Sequence, residues 1–256
     1  MTRAHERLDP RIQRWIYKQG WEDLRPIQKE ALSPVMSASC DVLICASTAS
    51  GKTESFFLPA LSMSADQEDG FSILYLSPLK ALINDQYRRL SGLCDELDMP
   101  LTAWHGDSNQ AKKQAMRKKA SGVILTTPES LEAMLINHAG WAKKAFSKLK
   151  YVVIDEFHAF IGTERGLQLV SLLHRLEHLT GRTQQPIPRV ALSATLGDID
   201  SVPLALRPNQ SLPCHIVLGS TAGNSMQMQL HGYLNPIQAP VIYTCLLYTS
   251  PSPRDS

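Results

Sequence analysis

The chain has 256 residues, of which 43% are hydrophobic and 20% are charged, and its formal net charge at pH 7 is +2. This composition is ordinary for a soluble protein, and the length fits one large domain or two small ones. So small a net charge does not by itself indicate a nucleic-acid-binding protein. The five cysteines are scattered without metal-ligand spacing, so we expect them to be small core residues in a reducing compartment. No signal peptide or membrane-spanning apolar run is found, so we expect a cytoplasmic protein that does not engage a membrane.

Strand-like apolar runs alternate with helical patterns along the chain. In order, the runs are Asp41–Cys45, Phe71–Leu76, Leu101–Trp104, Gly122–Leu125, Tyr151–Ile154, Arg189–Leu192 and His215–Leu218. Helical patterns lie between most of them, and the segment Asp9–Ser37 is predicted to be helical as well. This alternation predicts an α/β domain with a mainly parallel sheet and helices on both faces. The alternating segment Met226–Tyr233 predicts one further, exposed strand.

A candidate phosphate-binding loop follows the first predicted strand. The segment Ala46–Thr53 (ASTASGKT) turns through small residues into a helical pattern that begins at Lys52. Backbone N–H groups at such a turn, together with the helix dipole, favour a polyphosphate. Lys52 would reach the β- and γ-phosphates of ATP, and the Thr53 hydroxyl would bind Mg²⁺. The alternative is a chance Gly-Lys-Thr at the start of a helix. The predicted ATP-binding residues of this loop are Ala46, Ser47, Thr48, Ala49, Ser50, Gly51, Lys52 and Thr53.

Two carboxylates follow the strand Tyr151–Ile154, at the end where open α/β sheets bind ligands. Phosphoryl transfer to water needs Mg²⁺ at the leaving phosphate and a group that orients the attacking water. Asp155 is the candidate Mg²⁺ ligand and Glu156 is the candidate for the water. The alternative is that Asp155 and Glu156 are a solvated pair at the end of a strand with no catalytic role, and the upstream phosphate loop argues against it.

The order of these motifs resembles superfamily 2 DExH-box helicases. Asp155–His158 (DEFH) is similar to the DExH box, and Ser193–Thr195 (SAT) is similar to the family's third motif. Further similar segments are Leu24–Gln28 (LRPIQ), Leu76–Gln86 (LSPLKALINDQ), Trp104–Ser108 (WHGDS) and Thr126–Leu131 (TTPESL). The similarity covers about residues 20–200, and it implies the N-terminal RecA-like P-loop NTPase domain of such a helicase.

Two details refine the resemblance. The segment Ser77–Leu82 (SPLKAL) and the pair Arg165-Gly166 resemble the Lhr-type (large helicase-related) branch of these helicases. Ala46 is common at the start of the loop in these helicases, whereas Ala49 departs from the family, which usually has glycine there.

The resemblance implies a role for each matching residue. The catalytic set would be Lys52, Asp155, Glu156 and His158, with Mg²⁺ held by Thr53 and Asp155. Gln28 would bind adenine with Trp21 beside it, and His158 would sense a second motor domain. The nucleic-acid set would be Ser77, Pro78, Lys80, His105, Gly106, Asp107, Thr127, Pro128 and Glu129. The residues that couple nucleotide state to domain movement would be Ser193, Ala194 and Thr195.

Other residues keep two interpretations at this stage. Trp21 and Trp104 fit a core position as well as a ligand contact. The basic cluster Lys112, Lys113, Arg117, Lys118 and Lys119 could follow a nucleic-acid backbone, but a solvated helix face is the commoner outcome.

The predicted organisation has four parts. Residues 1–37 form a helical segment with the adenine-reading Gln28, and residues 38–218 form the RecA-like ATP-binding domain. Residues 219–244 begin a connection to a second RecA-like domain that we expect to be missing from this chain. Residues 245–256 form a tail in which Cys245–Asp255 (CLLYTSPSPRD) matches the translation of a transposase-based sequencing adaptor; a natural flexible tail is the alternative.

We therefore expect the N-terminal, ATP-binding half of an ATP-dependent helicase that acts on DNA or RNA with ATP and Mg²⁺. The fragment alone is expected to be nearly inactive, because an arginine finger from a second domain contributes about a thousandfold or more to the rate. The alternatives are a double-strand translocase or nuclease-system motor without strand separation, and a non-catalytic nucleic-acid-binding module. Strand displacement and nucleic-acid-stimulated ATPase activity in the complete protein distinguish the three.

Overall fold

Seven parallel strands form one sheet in a computed structural model, which describes residues 4–47, 50–105, 118–194 and 198–219. The strands are β1 (Asp41–Cys45), β2 (Gly70–Leu76), β3 (Leu101–Trp104), β4 (Ser121–Thr126), β5 (Tyr151–Ile154), β6 (Arg189–Ser193) and β7 (Cys214–Leu218). Their order across the sheet is β3-β4-β2-β5-β6-β1-β7, and every neighbouring pair is parallel. Each of the seven predicted strands is confirmed, with ends that differ by one residue at most. The described residues all belong to one compact unit, residues 1–219.

Helices cover both faces of the sheet, as predicted. They are α1 (Pro10–Lys18), α2 (Pro26–Ser37), α3 (Lys52–Ser64), α4 (Lys80–Glu96), α5 (Pro128–Asn137), α6 (Ala139–Ala145), α7 (Glu164–Leu179) and α8 (Val202–Leu206), with 3₁₀ turns at Ala4–Arg7 and Phe157–Ala159. Among the described helices, none combines the length and apolar character needed to cross a membrane.

Alternate residues of each strand enter two separate cores. Ile73 and Tyr75 of β2 pack in the core with α1 to α4, whereas Leu74 and Leu76 pack in the core with α5 to α8. Since both faces of a strand are buried, the strands read in the sequence as continuous apolar runs. The first half of the helices therefore covers one face and the second half covers the other.

The N-terminal segment differs from the prediction of one helical stretch over Asp9–Ser37. The structure has two helices with a break between Lys18 and Pro26. Gly20 lies in the break with φ of 69°, a conformation that ends a helix readily. Pro26 starts α2 and disfavours helical backbone at the preceding residue, which is why the break extends to that point.

A closed cluster of four charges ties the amino end of β1 and β6 to the neighbouring helices. Arg207 donates to both carboxylate oxygens of Asp41, at 2.5 and 3.0 Å, and to Glu177 at 3.2 Å. Arg189 donates to Glu177 at 3.1 Å, and its backbone N–H donates to Asp41 at 2.7 Å. All four side chains are at least nine-tenths buried. Burial lowers the pKa of Arg189 to about 10, and the neighbouring Arg207 charge acts in the same direction.

The carboxyl end of the sheet gathers the sequence motifs in a definite spatial order. From β3 to β1, the residues that follow the strands are His105, Thr127, Ser77, Asp155, Ala194 and Ala46. Motifs assigned to nucleotide therefore follow β5, β6 and β1, and motifs assigned to nucleic acid follow β3, β4 and β2.

The predicted strand at Met226–Tyr233 and the tail at Cys245–Asp255 lie outside the described residues.

Candidate nucleotide site and nucleic-acid edge

The Lys52 ammonium lies over the phosphate loop. Its Nζ donates to the Ala46 carbonyl at 2.5 Å and to the Ser47 carbonyl at 3.2 Å. Burial lowers the pKa of Lys52, while the negative charges of Glu156 and Asp155 act in the opposite direction. A half-buried cation whose hydrogen bonds go to loop carbonyls, close to two carboxylates, is suited to a bound anion. Thr48 and Ala49 lie outside the described residues.

Gly51 permits the close approach of the loop to α2. Its φ of 89° is left-handed, and a Cβ there would come within 2.7 Å of Gln28 Nε2. The Gln28 side chain is buried, and its Oε1 accepts the backbone N–H of Arg25 at 2.9 Å. Gln28 therefore both closes the start of α2 and packs against the phosphate loop. Its role in binding adenine stays a prediction.

Asp155 is held by the neighbouring strand β2. Its backbone N–H donates to the Leu76 carbonyl at 2.8 Å, and the buried Tyr75 hydroxyl donates to Asp155 Oδ2. Burial raises the pKa of the Asp155 carboxyl, the Tyr75 hydrogen bond opposes that shift, and the charge of Glu156 reinforces it. The Asp155 carboxylate is thus fixed in orientation and held in an environment that disfavours its charge.

His158 bridges the DEFH and SAT motifs. Its Nδ1 lies 3.3 Å from Glu156 Oε2 and 3.5 Å from Ser193 Oγ. Glu156 itself has a left-handed backbone with φ of 48°, which costs on the order of 1 kcal/mol for a residue with a Cβ. The turn therefore holds the Glu156 carboxylate in one place through both its backbone and its histidine partner.

Two further contacts join the ends of β1 and β6. The Ala46 N–H donates to the Ser193 carbonyl at 3.2 Å, and the Cys45 thiol donates to the Ala194 carbonyl at 3.1 Å. The SAT segment consequently begins in direct contact with the phosphate loop, although its Thr195 lies outside the described residues.

The predicted nucleic-acid residues divide by exposure. Ser77, Pro78, Thr127 and Pro128 are buried, whereas Lys80 and Glu129 are exposed. Four of them, Pro78, Lys80, Thr127 and Glu129, line an open groove of about 440 Å³ between the loop after β2 and the first turn of α5. Of these six predicted residues, Lys80 and Glu129 are the ones whose side chains are available to a ligand.

His105 lies at the predicted edge of the sheet, whereas Trp104 lies in the core. His105 Nε2 lies 3.1 Å from Asn84 Oδ1, at the far end of the same edge. Trp104 is only 6% exposed and stacks on Trp141 with centroids 5.7 Å apart, which makes it a core residue.

Trp21 is partly buried and packs edge-on against Trp15, with ring centroids 5.5 Å apart. Lys118 and Lys119 are exposed. Gly106, Asp107 and the rest of the cluster, Lys112, Lys113 and Arg117, lie outside the described residues.

Tyr75 is the site residue that the sequence interpretation missed. It faces the core with α1 to α4, and only its hydroxyl reaches Asp155 from the adjacent strand. The signal available in the sequence is a tyrosine two residues before Ser77 in an otherwise aliphatic end of β2 (ILYL). A hydroxyl at that position needs a buried partner, and the parallel neighbour supplies a carboxylate.

A sequence profile of the DEAD/DEAH box helicase family matches residues 25–202. This chain belongs to that family. The match covers the phosphate loop, the DEFH turn and the SAT segment, so the predicted family is confirmed. The seven-stranded parallel sheet and its RecA-like fold agree with it.

The chain is similar to characterised relatives of the Lhr type. It is 30% identical to the ATP-dependent helicase Lhr-Core of Methanothermobacter thermautotrophicus over 215 residues, which cover 77% of this chain and 24% of that protein. Identity to Lhr-Core of Methanocaldococcus jannaschii is 33% over 231 residues, covering 83% of this chain and 26% of that protein. The chain thus spans about a quarter of the length of these relatives.

Solved structures agree with the sequence relatives. Helicase Lhr of Mycobacterium smegmatis, bound to ssDNA and AMP-PNP, superposes with a TM-score of 0.74 at 30% identity, covering 86% of this chain and 28% of that chain. The DUF1998 helicase MrfA bound to DNA and AMPPNP gives 0.71 at 30% identity, covering 85% and 29%. The DEAD-box helicase Mss116 gives 0.72 at 20% identity, covering 82% and 43%, which supports the fold alone.

Proposed function

We propose that this chain is the ATP-binding motor domain of a DNA or RNA helicase of the Lhr type. The observation that carries the proposal is the order of motifs along one edge of the sheet. The phosphate loop, the SAT segment and both candidate catalytic carboxylates lie at the ends of the adjacent strands β1, β6 and β5, and the nucleic-acid motifs follow β2, β4 and β3. In the whole protein, ATP hydrolysis at one end would drive movement along nucleic acid at the other.

Nucleotide would bind with its phosphates at the start of α3. Lys52 would exchange the Ala46 and Ser47 carbonyls for phosphate oxygens, since an ionised partner forms the stronger hydrogen bond. The Ser50 hydroxyl oxygen is buried and has no hydrogen-bond partner among the described residues, so a ligand oxygen fits there too. The relatives Lhr and MrfA are solved with AMP-PNP, which supports ATP as the nucleotide.

The side chains at this end of the sheet also fit Mg²⁺. Among the described residues, no three histidine, cysteine or carboxylate side chains form a metal cluster. Mg²⁺ does not need one, because it commonly binds one or two carboxylates together with phosphate oxygens and water. Asp155 and the Thr53 hydroxyl would hold it, and when bound it would neutralise charge on the leaving phosphate.

Glu156 would orient the attacking water. Its carboxylate is partly exposed, and His158 lies beside it at 3.3 Å. With a proton on Nδ1, His158 donates to Glu156 and holds its carboxylate in place. Because His158 also lies 3.5 Å from Ser193, a movement of the SAT segment would shift the position of Glu156.

Nucleic acid would lie along the groove beside β2 and β4. The relative Lhr is solved with ssDNA and MrfA with DNA. Lys80 would contact a phosphate directly, while the buried Ser77, Pro78, Thr127 and Pro128 would shape the loops that present backbone groups.

Calorimetry with Mg·AMP-PNP tests the nucleotide site. Lys52→Ala removes a charge-assisted phosphate contact of roughly 1.5–3 kcal/mol, so affinity should fall about ten- to a hundredfold. Lys29→Ala is the matched control, because Lys29 is exposed and pairs with Asp23 on the surface. Equal affinity for Lys52→Ala and the unsubstituted chain would contradict the phosphate-loop assignment.

A further inference from the structure

Arg165 connects three separate segments at the carboxyl edge of the sheet. From the first turn of α7, its Nη2 donates to the Pro78 carbonyl at 2.9 Å, in the loop after β2. Its Nε donates to Glu129 Oε1 at 2.8 Å, in the first turn of α5. The guanidinium also lies 5.4 Å from the ring centroid of Phe160, which follows the DEFH turn.

The backbone around Arg165 is fixed against that turn. The Thr163 hydroxyl donates to the Phe160 carbonyl at 2.9 Å and accepts the Gly166 N–H at 3.1 Å, which caps α7. A Cβ at Gly166 would lie 2.0 Å from the Phe160 carbonyl oxygen, so only glycine allows this approach. The two residues of the Arg-Gly pair therefore have different roles. Gly166 allows the start of α7 to pack against the Phe160 carbonyl, and Arg165 bonds to the neighbouring segments.

Other contacts between α5 and α7 join only these two helices. Glu132 accepts from Gln168 at 2.7 Å and from Arg175 at 2.8 Å. These contacts join the two helices and involve no residue of the loop after β2. Arg165 therefore differs from Arg175, because it bonds to Pro78 on one side and Glu129 on the other side of the groove that we assign to nucleic acid.

The charge of Arg165 also matters at this position. Glu129 is exposed beside the groove, where an unpaired carboxylate would repel a phosphate backbone. The Arg165–Glu129 pair, with a closest approach of 2.6 Å, compensates that charge. A planar guanidinium can donate to Glu129 and Pro78 in different directions at once, which a lysine ammonium does less well.

We propose that Arg165 is a positioning residue for nucleic-acid binding, which holds the loop after β2 and the first turn of α5 in one geometry and ties both to the DEFH turn. The proposal rests on the proposed function, since it assumes that nucleic acid occupies this groove. Arg165 acts on the ligand through Pro78 and Glu129.

Fluorescence anisotropy of a labelled single-stranded oligonucleotide, with the full chain and Mg·AMP-PNP, measures the effect. Arg165→Ala should weaken binding about three- to tenfold, a range that allows for the partial exposure of the side chain. Arg175→Ala, the matched control on the same helix, should stay within about twofold. Arg165→Lys should lie between them. Adding Glu129→Gln to Arg165→Ala should restore part of the affinity, because it removes the uncompensated charge.

Amide hydrogen exchange on the ligand-free chain supplies an independent measurement. Arg165→Ala should speed exchange both in 79–83 and in 128–131, whereas Arg175→Ala should leave 79–83 unchanged. If Arg165→Ala matches Arg175→Ala in exchange and in oligonucleotide affinity, the proposal is overturned. Failure of the unsubstituted chain to bind the oligonucleotide would instead count against the proposed function, and exchange would still decide whether Arg165 holds the two segments.

Discussion

The amino end and the carboxyl end of the sheet both contain ionisable side chains, which are fully buried at the amino end and partly buried at the carboxyl end, and their partners differ. At the amino end, Asp41, Glu177, Arg189 and Arg207 satisfy one another in a closed cluster of two positive and two negative charges. At the carboxyl end, Lys52 bonds to loop carbonyls and Asp155 to a tyrosine hydroxyl. Charged side chains thus stabilise the fold where they pair with one another, and they are available to a ligand where they do not.

The charged groups at the two ends of the sheet also contribute differently to the free energy. A closed buried cluster is costly to open, because removal of one member leaves an uncompensated charge. A desolvated group without an ionic partner disfavours its own charged state, and a ligand of opposite charge relieves that cost. Substitutions at the two ends should therefore affect different properties: folding stability at the amino end, and ligand affinity at the carboxyl end.

Asp41→Ala should have the largest effect. It leaves Arg207 buried without its main carboxylate and removes the acceptor of the Arg189 N–H, so the free energy of unfolding should fall by about 3–5 kcal/mol. Urea unfolding followed by circular dichroism measures it. The control is Asp66→Ala, whose fully exposed side chain lies 3.4 Å from Arg11 and should leave the free energy of unfolding almost unchanged. Similar losses for the two variants would show that the buried cluster is not needed for stability.

Asp155→Asn should have opposite effects on binding and stability. Loss of the carboxylate should lower Mg²⁺-dependent AMP-PNP affinity about ten- to a hundredfold, whereas Glu156→Gln, the control, should bind nearly as the unsubstituted chain does. Comparable losses for the two carboxylates in calorimetry would contradict the division of roles between them.

The stability effect of Asp155→Asn should depend on pH. The folded-state pKa of Asp155 is raised, mainly by burial, so this group favours folding at low pH and loses that contribution as pH rises through the folded pKa. Without ligand, Asp155→Asn should therefore melt at a higher temperature than the unsubstituted chain at neutral pH. The difference should vanish in acid, where the carboxyl group is neutral. A gap that persists unchanged at acidic pH would contradict the ionisation argument.

Tyr75→Phe should have the smallest effect of the set. It removes the hydroxyl that orients Asp155 and leaves the ring in the core, so Mg²⁺-dependent AMP-PNP affinity should fall about two- to tenfold. Titration of Mg²⁺ at fixed nucleotide is the sensitive measurement, because the effect acts through the carboxylate. Tyr151→Phe is the control: its hydroxyl donates to the Val35 carbonyl at 2.8 Å, away from the carboxylates. If both variants need the same Mg²⁺ concentration as the unsubstituted chain, Tyr75 has no positioning role.

The strands and the phosphate loop can be predicted from the sequence because the residues that determine each of them are neighbours in the chain. The run Asp41–Cys45 is apolar because both of its faces are buried, and Lys52 follows a turn of small residues at a helix start. The parallel sheet then places Asp155 and Ser193 at the same edge without further information. This part of the site is therefore visible in the sequence alone.

Contacts between distant segments are not visible in that way. Asp41 meets Arg207 and Tyr75 meets Asp155 only after the strands have assembled, and no periodic pattern marks either pair. Exposure is similarly a property of the folded chain. The motif that contains Ser77 indicates nucleic acid, yet the Ser77 side chain is buried, whereas the neighbouring Leu79 and Lys80 are exposed.

The position of β1 in the sheet has a consequence for biosynthesis. Val42 pairs with Val190 on one side and with His215 on the other, so both edges of β1 stay unpaired until nearly the whole domain has left the ribosome. An apolar strand with two open edges is prone to mispairing, and such long-range pairing is slow. The phosphate loop at its end is therefore among the last parts of the domain to form, and ribosomes that stall before residue 190 would release a product unable to bind nucleotide.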